Sequence, residues 1–410
     1  MEKKQVKDLS VYHRHFDEDP SKFSDFQARD YVKELKNQGY TDQAIEVGKT
    51  FLEVLPEDSR GFVNHYCYAL YNKYIKIDDA EIKEKESIFY SILDEILDTC
   101  KQEKYSPYEA SVNRAVRYVL NNKPVDYVKL AELLDLLDPT LLDDRPFVNN
   151  SGKEFESRKE KWYRLRVRAY YEVKDFENCV ETANVALTLT LKWHYSNLYW
   201  IRYYRAYSLV ELERYEEAQN EFLSLKGRFI QVNFETLYKL YLNTGAKNDA
   251  YTNLLYEFFL SGYDYSNMKL YNYILDMVKE KEVDFIVKSA SALIYKLNEE
   301  NGKSVEVDAD ISQYEDKTSS QIFDTLYAQL MDHLDKFIER KESRVVYYNE
   351  EKEYGSLYVR GSDNIFFKQA DYIYDEEVQQ RDQVSYSVIK TYDNKKQRVA
   401  TRAVLIKTLD

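Results

Sequence analysis

The chain has 410 residues, 44% hydrophobic and 32% charged, with 58 lysines and arginines against 72 acidic residues for a net charge of −14. That is enough apolar material to bury cores in roughly two or three domains, and it argues against a disordered or fibrous chain. Ten glycines and six prolines fall far below the roughly 7% and 5% usual in globular proteins, which argues against a turn-rich all-β chain and against glycine-rich phosphate loops.

Five histidines and three cysteines leave little material for metal or nucleophilic chemistry, so the composition points away from an enzyme and implies no cofactor or metal. Cys67, Cys100 and Cys179, odd in number and in apolar helical surroundings, are expected to be buried free thiols in a reducing compartment, with the cytoplasm as the expected location. Met1 to Gln5 is polar and implies no secretory signal, and no stretch approaches the roughly 20 apolar residues of a membrane span.

In chain order, His13, Arg14 and His15 with Asp17, Glu18 and Asp19 read as a solvated loop, because two histidines two residues apart make an incomplete metal shell. From about residue 25 to about residue 300 the apolar positions keep helical period. Val32, Leu35, Ala44, Phe51 and Pro56 predict a helix pair turning at Gly39-Tyr40. Ser106 before Pro107 predicts a capped helix start, and Lys129 to Leu137 a leucine-rich helix ended by Pro139. Val167, Tyr170, Val173, Phe176, Cys179, Ala183 and Ala186 recur 39 residues later as Ala206, Leu209, Leu212, Tyr215, Ala218, Phe222 and Leu225, the self-similarity of stacked units. The run around Tyr199, Trp200, Tyr203 and Tyr204 reads either as a ligand-facing ring surface or as packing between helices. Asn248-Asp249-Ala250 opens a further helix with Leu254, Leu255 and Phe258 on its apolar side. His194 and His333 stand alone.

The apolar positions of residues 205–225 resemble those of a tetratricopeptide repeat. The resemblance implies that Ala206 faces Ala218 where two helices approach closely, and that residues 1–300 form a helical solenoid holding a protein partner. An acidic surface would select a basic one. Arg60 and His65, with four residues between them, have a spacing similar to that of HEPN-type ribonucleases, which present both groups from one helix. Gly61 stands where a polar residue commonly follows the arginine.

Residues 301–341 read as a linker, without helical period from Gly302 to Ser319, and a connecting helix through Ile322, Leu326, Leu330, Leu334 and Phe337 closed by Arg340-Lys341. Over 342–410 the period falls to two, the mark of strands. Lys341 to Asp410 carries 12 basic and 12 acidic residues, so the whole net charge lies upstream. Two strands are predicted within Arg344–Val359, a third over Asn364–Lys368, a fourth over Gln383–Ile389 and a fifth over Val399–Ile406. Five strands in about 65 residues is the size of an OB-type barrel.

Tyr347-Tyr348-Asn349, Lys352-Glu353-Tyr354-Gly355-Ser356-Leu357 and Ile365-Phe366-Phe367-Lys368-Gln369 resemble, in order, the first strand and the two RNA-binding motifs of the cold-shock domain. The resemblance implies a platform of Tyr347, Tyr354 and Phe366 on which single-stranded bases stack, with Lys352 and Lys368 beside it. Ser356 replaces an aromatic residue of the family pattern, Gln369 another, Lys368 a histidine, and Val346 a lysine. The combined expectation is a multidomain chain, mostly α with a tetratricopeptide-like solenoid, followed by a small five-stranded barrel of OB or cold-shock type. It would act as a non-enzymatic adaptor that holds single-stranded RNA in preference to DNA and a protein partner, without membrane contact, in RNA metabolism or bacterial defence. The alternatives are a protein-interaction scaffold with a converted barrel, and a HEPN-like ribonuclease using Arg60 and His65.

Overall fold

A computed structural model describes residues 7–229, 231–374 and 377–409, so the stretch Met1 to Gln5 lies outside the described residues. The chain runs through α1 (Ser10–Glu18), α2 (Asp25–Asn37), α3 (Thr41–Val54), α4 (Val63–Leu70), α5 (Asp79–Glu84), α6 (Glu86–Thr99), α7 (Pro107–Asn121) and α8 (Tyr127–Asp135). The short strands β1 (Phe147–Val148) and β2 (Glu154–Phe155) follow, then α9 (Arg158–Glu172), α10 (Phe176–Thr188), α11 (Asn197–Glu211), α12 (Tyr215–Leu225), α13 (Phe234–Asn243) and α14 (Lys247–Ser261). Next come α15 (Met268–Glu280), α16 (Asp284–Glu300) and α17 (Ser319–Asp332), and finally β3 (Lys341–Asn349), β4 (Tyr354–Leu357), β5 (Ile365–Lys368), β6 (Gln383–Asp393) and β7 (Arg398–Thr408). Two compact units divide it, Met1–Ser208 and Leu209–Asp410, and the division falls within α11.

The helix pairs α2/α3, α9/α10, α11/α12, α13/α14 and α15/α16 share one turn. In each, a residue with positive φ ends the first helix: Gly39, Lys174, Glu213, Gly245 and Glu282. Its N–H bonds three residues back and the next N–H bonds five back, as in Lys174 N to Tyr171 O (3.1 Å) with Asp175 N to Tyr170 O (2.9 Å), and Glu213 N to Val210 O (3.0 Å) with Arg214 N to Leu209 O (2.8 Å). This double bond satisfies orphan carbonyls at the helix end and reverses the chain within three residues. Five residues after each positive-φ residue, the second helix carries Ala44, Cys179, Ala218 and Ala250 in four of the pairs, all fully buried. In α9/α10 the Cys179 thiol donates to the Val167 carbonyl at 3.4 Å, a direct measure of the close approach. Ala206 is fully buried too.

Ser106 caps α7 by accepting from Glu109 N with Pro107 at the first helical position, as its sequence requires. The three cysteines are free and buried. Other expectations are corrected. Residues 10–18 form α1 rather than a loop, because His13 is anchored through Nδ1 to the Tyr31 hydroxyl at 2.7 Å. α17 ends at Asp332, so Leu334 and Phe337 are buried beyond the helix. Arg340 closes no helix; it donates to Ser387 (3.1 Å) and Ser385 (3.0 Å) on β6. In the 302–319 segment, Tyr314 is buried. The aromatic run in α11 packs ring on ring within the first unit: Trp200 stacks on Tyr204 (5.9 Å between centroids) and Tyr171 meets Tyr204 at 5.0 Å.

His194 does not stand alone. Its Nδ1 lies 2.8 Å from Glu160 Oε2 and its Nε2 2.7 Å from Glu154 Oε1, while its backbone N–H donates to Glu160 Oε1 at 2.6 Å. Glu160 is fully buried, so the clamp joins the β1–β2 hairpin, α9 and the segment before α11. The Glu160 carboxylate, helped by Glu154, raises the imidazole's pKa, so protonated His194 favours the folded state. That stabilisation is fully present below the unfolded histidine value of about 6.5 and is lost as pH rises through the higher folded value. Urea denaturation at a series of pH values will therefore show the first unit weakening as pH rises above about 6.5, and His194→Gln will flatten that dependence.

Candidate nucleic-acid interface

The five C-terminal strands close a barrel in the order β3-β4-β5-β7-β6, with β6 returning to β3. All pairings are antiparallel except β5 with β7, which makes the barrel OB-like. Its core holds Val345, Leu357, Phe367, Tyr372, Val384, Tyr386, Ala403 and Ile406.

Strand alternation decides which rings face out. β5 alternates cleanly, with Ile365 and Phe367 inside and Phe366 and Lys368 outside. In β3 the pairing register slips between Val345 and Tyr347, and this bulge turns Tyr347 outward although Val345, two residues earlier, points into the core. The outward residues then line up across the strands: Tyr347 opposite Ser356 opposite Phe366, and Asn349 opposite Tyr354 opposite Lys368. Tyr347 and Tyr354 lie 6.1 Å apart between ring centroids and Tyr354 and Phe366 5.7 Å. Tyr347 is 43% and Phe366 41% exposed, so three rings in contact form an open aromatic row. Hydrogen bonding to Tyr347 raises the pKa of the Tyr354 phenol. Lys368 is Tyr354's exposed cross-strand neighbour. Lys352 is exposed in the β3–β4 turn, between Glu351 and Glu353.

Local conformation accounts for much of the motif. Gly355 faces inward, where a Cβ would come within 2.4 Å of both the Phe367 ring and the Tyr347 carbonyl. Tyr348 also turns inward, its ring parallel to that of Phe367 and its hydroxyl donating to Gln369 Oε1 at 2.8 Å. Gln369, which departs from the family pattern, thus holds Tyr348 away from the exposed row. Glu353, in the β3–β4 turn, has a φ of 52°, a left-handed conformation that glycine adopts without strain. Ser356 leaves the centre of the first cross-strand row without a ring.

The β6–β7 side of the barrel docks on helices of the same unit. Asp371, fully buried just after β5, accepts from Arg402 Nε (2.8 Å) and Nη2 (2.6 Å), from the Tyr256 hydroxyl of α14 (2.6 Å) and from Lys368 N (2.7 Å). Lys390 of β6 donates to Gln219 of α12 at 3.0 Å, and Tyr327 of α17 to the Ile373 carbonyl at 3.2 Å. Beside this junction lies a cleft of about 410 Å³ whose lining includes Lys226, Arg228, Lys390 and Arg402. Arg402 is also the cross-strand partner of Phe366, so cationic groups begin where the aromatic row ends. These cations were missed in the sequence because they come from the segment after α12 and from two strands. The β6–β7 turn adds exposed Lys395 and Lys396, which local charge alone would have marked.

Arg60 and His65 are not presented by one helix. Arg60 precedes α4 and donates to the Leu52 carbonyl at 3.1 Å, while His65 sits inside α4 with its pKa pushed down to about 4 by burial and by Lys36, Lys33 and Arg29. Among the described residues no group of three or more His, Cys, Asp or Glu side chains could hold a metal ion, and no helix is long and apolar enough to cross a membrane. Comparison with protein-family models and with curated proteins finds no match for this chain.

Gly355→Ala will destabilise the barrel by about 1–3 kcal/mol through overpacking against Phe367, read as a lower denaturation midpoint. Asp371→Ala will cost roughly 3–5 kcal/mol by leaving Arg402 without its carboxylate, read in the same assay.

Proposed function

We propose that this chain is a non-enzymatic adaptor that binds single-stranded nucleic acid, RNA in preference to DNA, on the β3–β4–β5 face and a protein partner on its helical hairpins. The observation that carries the reading is the contiguous row Tyr347–Tyr354–Phe366, solvent-exposed on the face that OB-type barrels use for oligonucleotides. Exposed rings in contact are costly in water and find compensation against the π-faces of unpaired bases, with about 1–3 kcal/mol per stacked base. The row's motifs are those by which the barrel resembles a cold-shock domain. The shared left-handed turn and buried small residue support a tetratricopeptide-like reading of the hairpins, whose stacked faces suit a protein segment. Three buried free thiols suit a reducing cytoplasm, and RNA metabolism or bacterial defence would use such a bridge.

Fluorescence anisotropy of labelled single-stranded RNA and DNA tests this. The full chain will bind RNA more tightly than DNA, and the variant Tyr347→Ala/Tyr354→Ala/Phe366→Ala will lose at least on the order of a hundredfold in affinity. No binding of either strand at micromolar protein, or binding that survives the triple change, would overturn the reading in favour of a protein-interaction scaffold with a converted barrel.

A further inference from the structure

The first unit holds a cavity of about 660 Å³ that no part of the adaptor reading uses. It opens beside a five-residue π-helical turn, Tyr71–Ile75, which continues α4. Such turns interrupt the regular helix and occur often at functional sites. Its volume falls within the roughly 300–1,000 Å³ of small-molecule sites.

Four cationic side chains line the cavity: Lys76, Arg114, Arg117 and Arg158. Two carboxylates share it, and both are committed. Asp78 caps α5 by accepting from Glu81 N at 2.8 Å, and Asp79 accepts from Arg114 Nη2 (2.6 Å) and Asn121 Nδ2 (2.8 Å). Arg158 pairs with the buried Glu109. Among the described residues no ion pair engages Lys76 or Arg117. In a chain of net charge −14, gathering cations in one concavity builds a local field that attracts anions.

Arg114 fixes one wall of the cavity. Its side chain is only 9% exposed. Nε and Nη2 donate to the Ile77 carbonyl at 3.2 and 2.6 Å, whereas Nη1 is buried without an acceptor. A buried charged N–H left unpaired is costly, and natural structures seldom retain one without a partner. Lys161, close by, has its pKa lowered by burial, with Arg164, Arg117 and Arg158 adding to the effect, as expected where positive charge accumulates.

We propose that this cavity binds a small molecule bearing two or more phosphates, whose oxygens accept from and neutralise Lys76 and Arg117. More than one phosphate suits the site because its unpaired cations come from two separate elements, the end of the π turn and α7, and guanidinium forks match phosphate oxygens.

Isothermal titration calorimetry of the full chain with ATP and with inorganic tripolyphosphate tests the site, using the exposed-residue variants Lys76→Glu and Arg117→Glu, which keep the Arg114–Asp79 and Arg158–Glu109 pairs. Both probes will bind, each charge reversal will weaken binding on the order of tenfold, and the variant lacking the three barrel rings will bind as the parent does. Absence of heat with both probes at millimolar concentration would overturn the proposal, as would affinities unchanged in Lys76→Glu/Arg117→Glu. Binding of a 5′-phosphorylated oligonucleotide but of neither small probe would overturn it in favour of a strand-end site, and loss of ATP binding in the barrel variant would assign the phosphate contacts to the wrong unit.

Discussion

The second unit depends on one buried carboxylate. Asp371 has no exposed surface and accepts four hydrogen bonds, two from Arg402 on β7, one from Tyr256 on α14 and one from the Lys368 backbone at the end of β5. An ionised group in a low-dielectric interior persists only when its partners are complete. The geometry of all three elements is therefore set together. Because Arg402 is also Phe366's cross-strand partner, the contact that seats the barrel on α14 fixes the strand that carries one end of the ring row. Docking through β6, β7 and the segment after β5 leaves β3, β4 and the outer side of β5 to water.

On that free face the departures from the resembling pattern are not random losses. Gln369 takes up the Tyr348 hydroxyl and keeps that ring against Phe367, so two aromatic residues of the motifs serve the core rather than the surface. The bulge at the middle of β3 does the opposite for Tyr347. A strand without it would bury that ring beside Val345, and the row would shrink to Tyr354 and Phe366. Charge adds little here: Lys352 sits among glutamates in its turn, and Lys368 is the cation set directly beside a ring.

The helices and strands were legible because their periods are local. Residues 344–406 showed all five strands within a few residues of their bounds, and the 39-residue recurrence marked two hairpins that share even the left-handed turn residue, Lys174 and Glu213. The pairs α13/α14 and α15/α16 escaped recognition as copies because large side chains, Tyr238 and Leu275, stand where the readable copies carry Val32, Val167 and Ala206. Only the turn, which side-chain spacing does not record, reveals them. The stretch from His13 to Asp19 reads as loop because its charges hide a helix held by tertiary contacts of Tyr12, His13 and Phe16. The four clustered ring and lysine residues of the face were legible; the cleft cations were not. Nor was the docking carboxylate, since Tyr256 and Asp371 lie 115 residues apart and no periodicity spans such a distance.

An acidic protein that binds phosphate-bearing ligands meets a long-range repulsion that it can offset only locally. On the two proposals above, this chain would separate the two ways of doing so. The unit-one cavity would use charge, through Lys76 and Arg117, which no ion pair among the described residues engages. The barrel face uses rings, whose attraction to bases is short-ranged and indifferent to the net charge. Each phosphate contact steepens the salt dependence of strand binding by roughly 0.7 in logarithmic slope, and a face with three rings and one adjacent lysine makes few such contacts. On the proposed function, stacking would supply the affinity that charge cannot, which accounts in physical terms for large apolar rings kept in water on the β3–β4–β5 face of so acidic a chain.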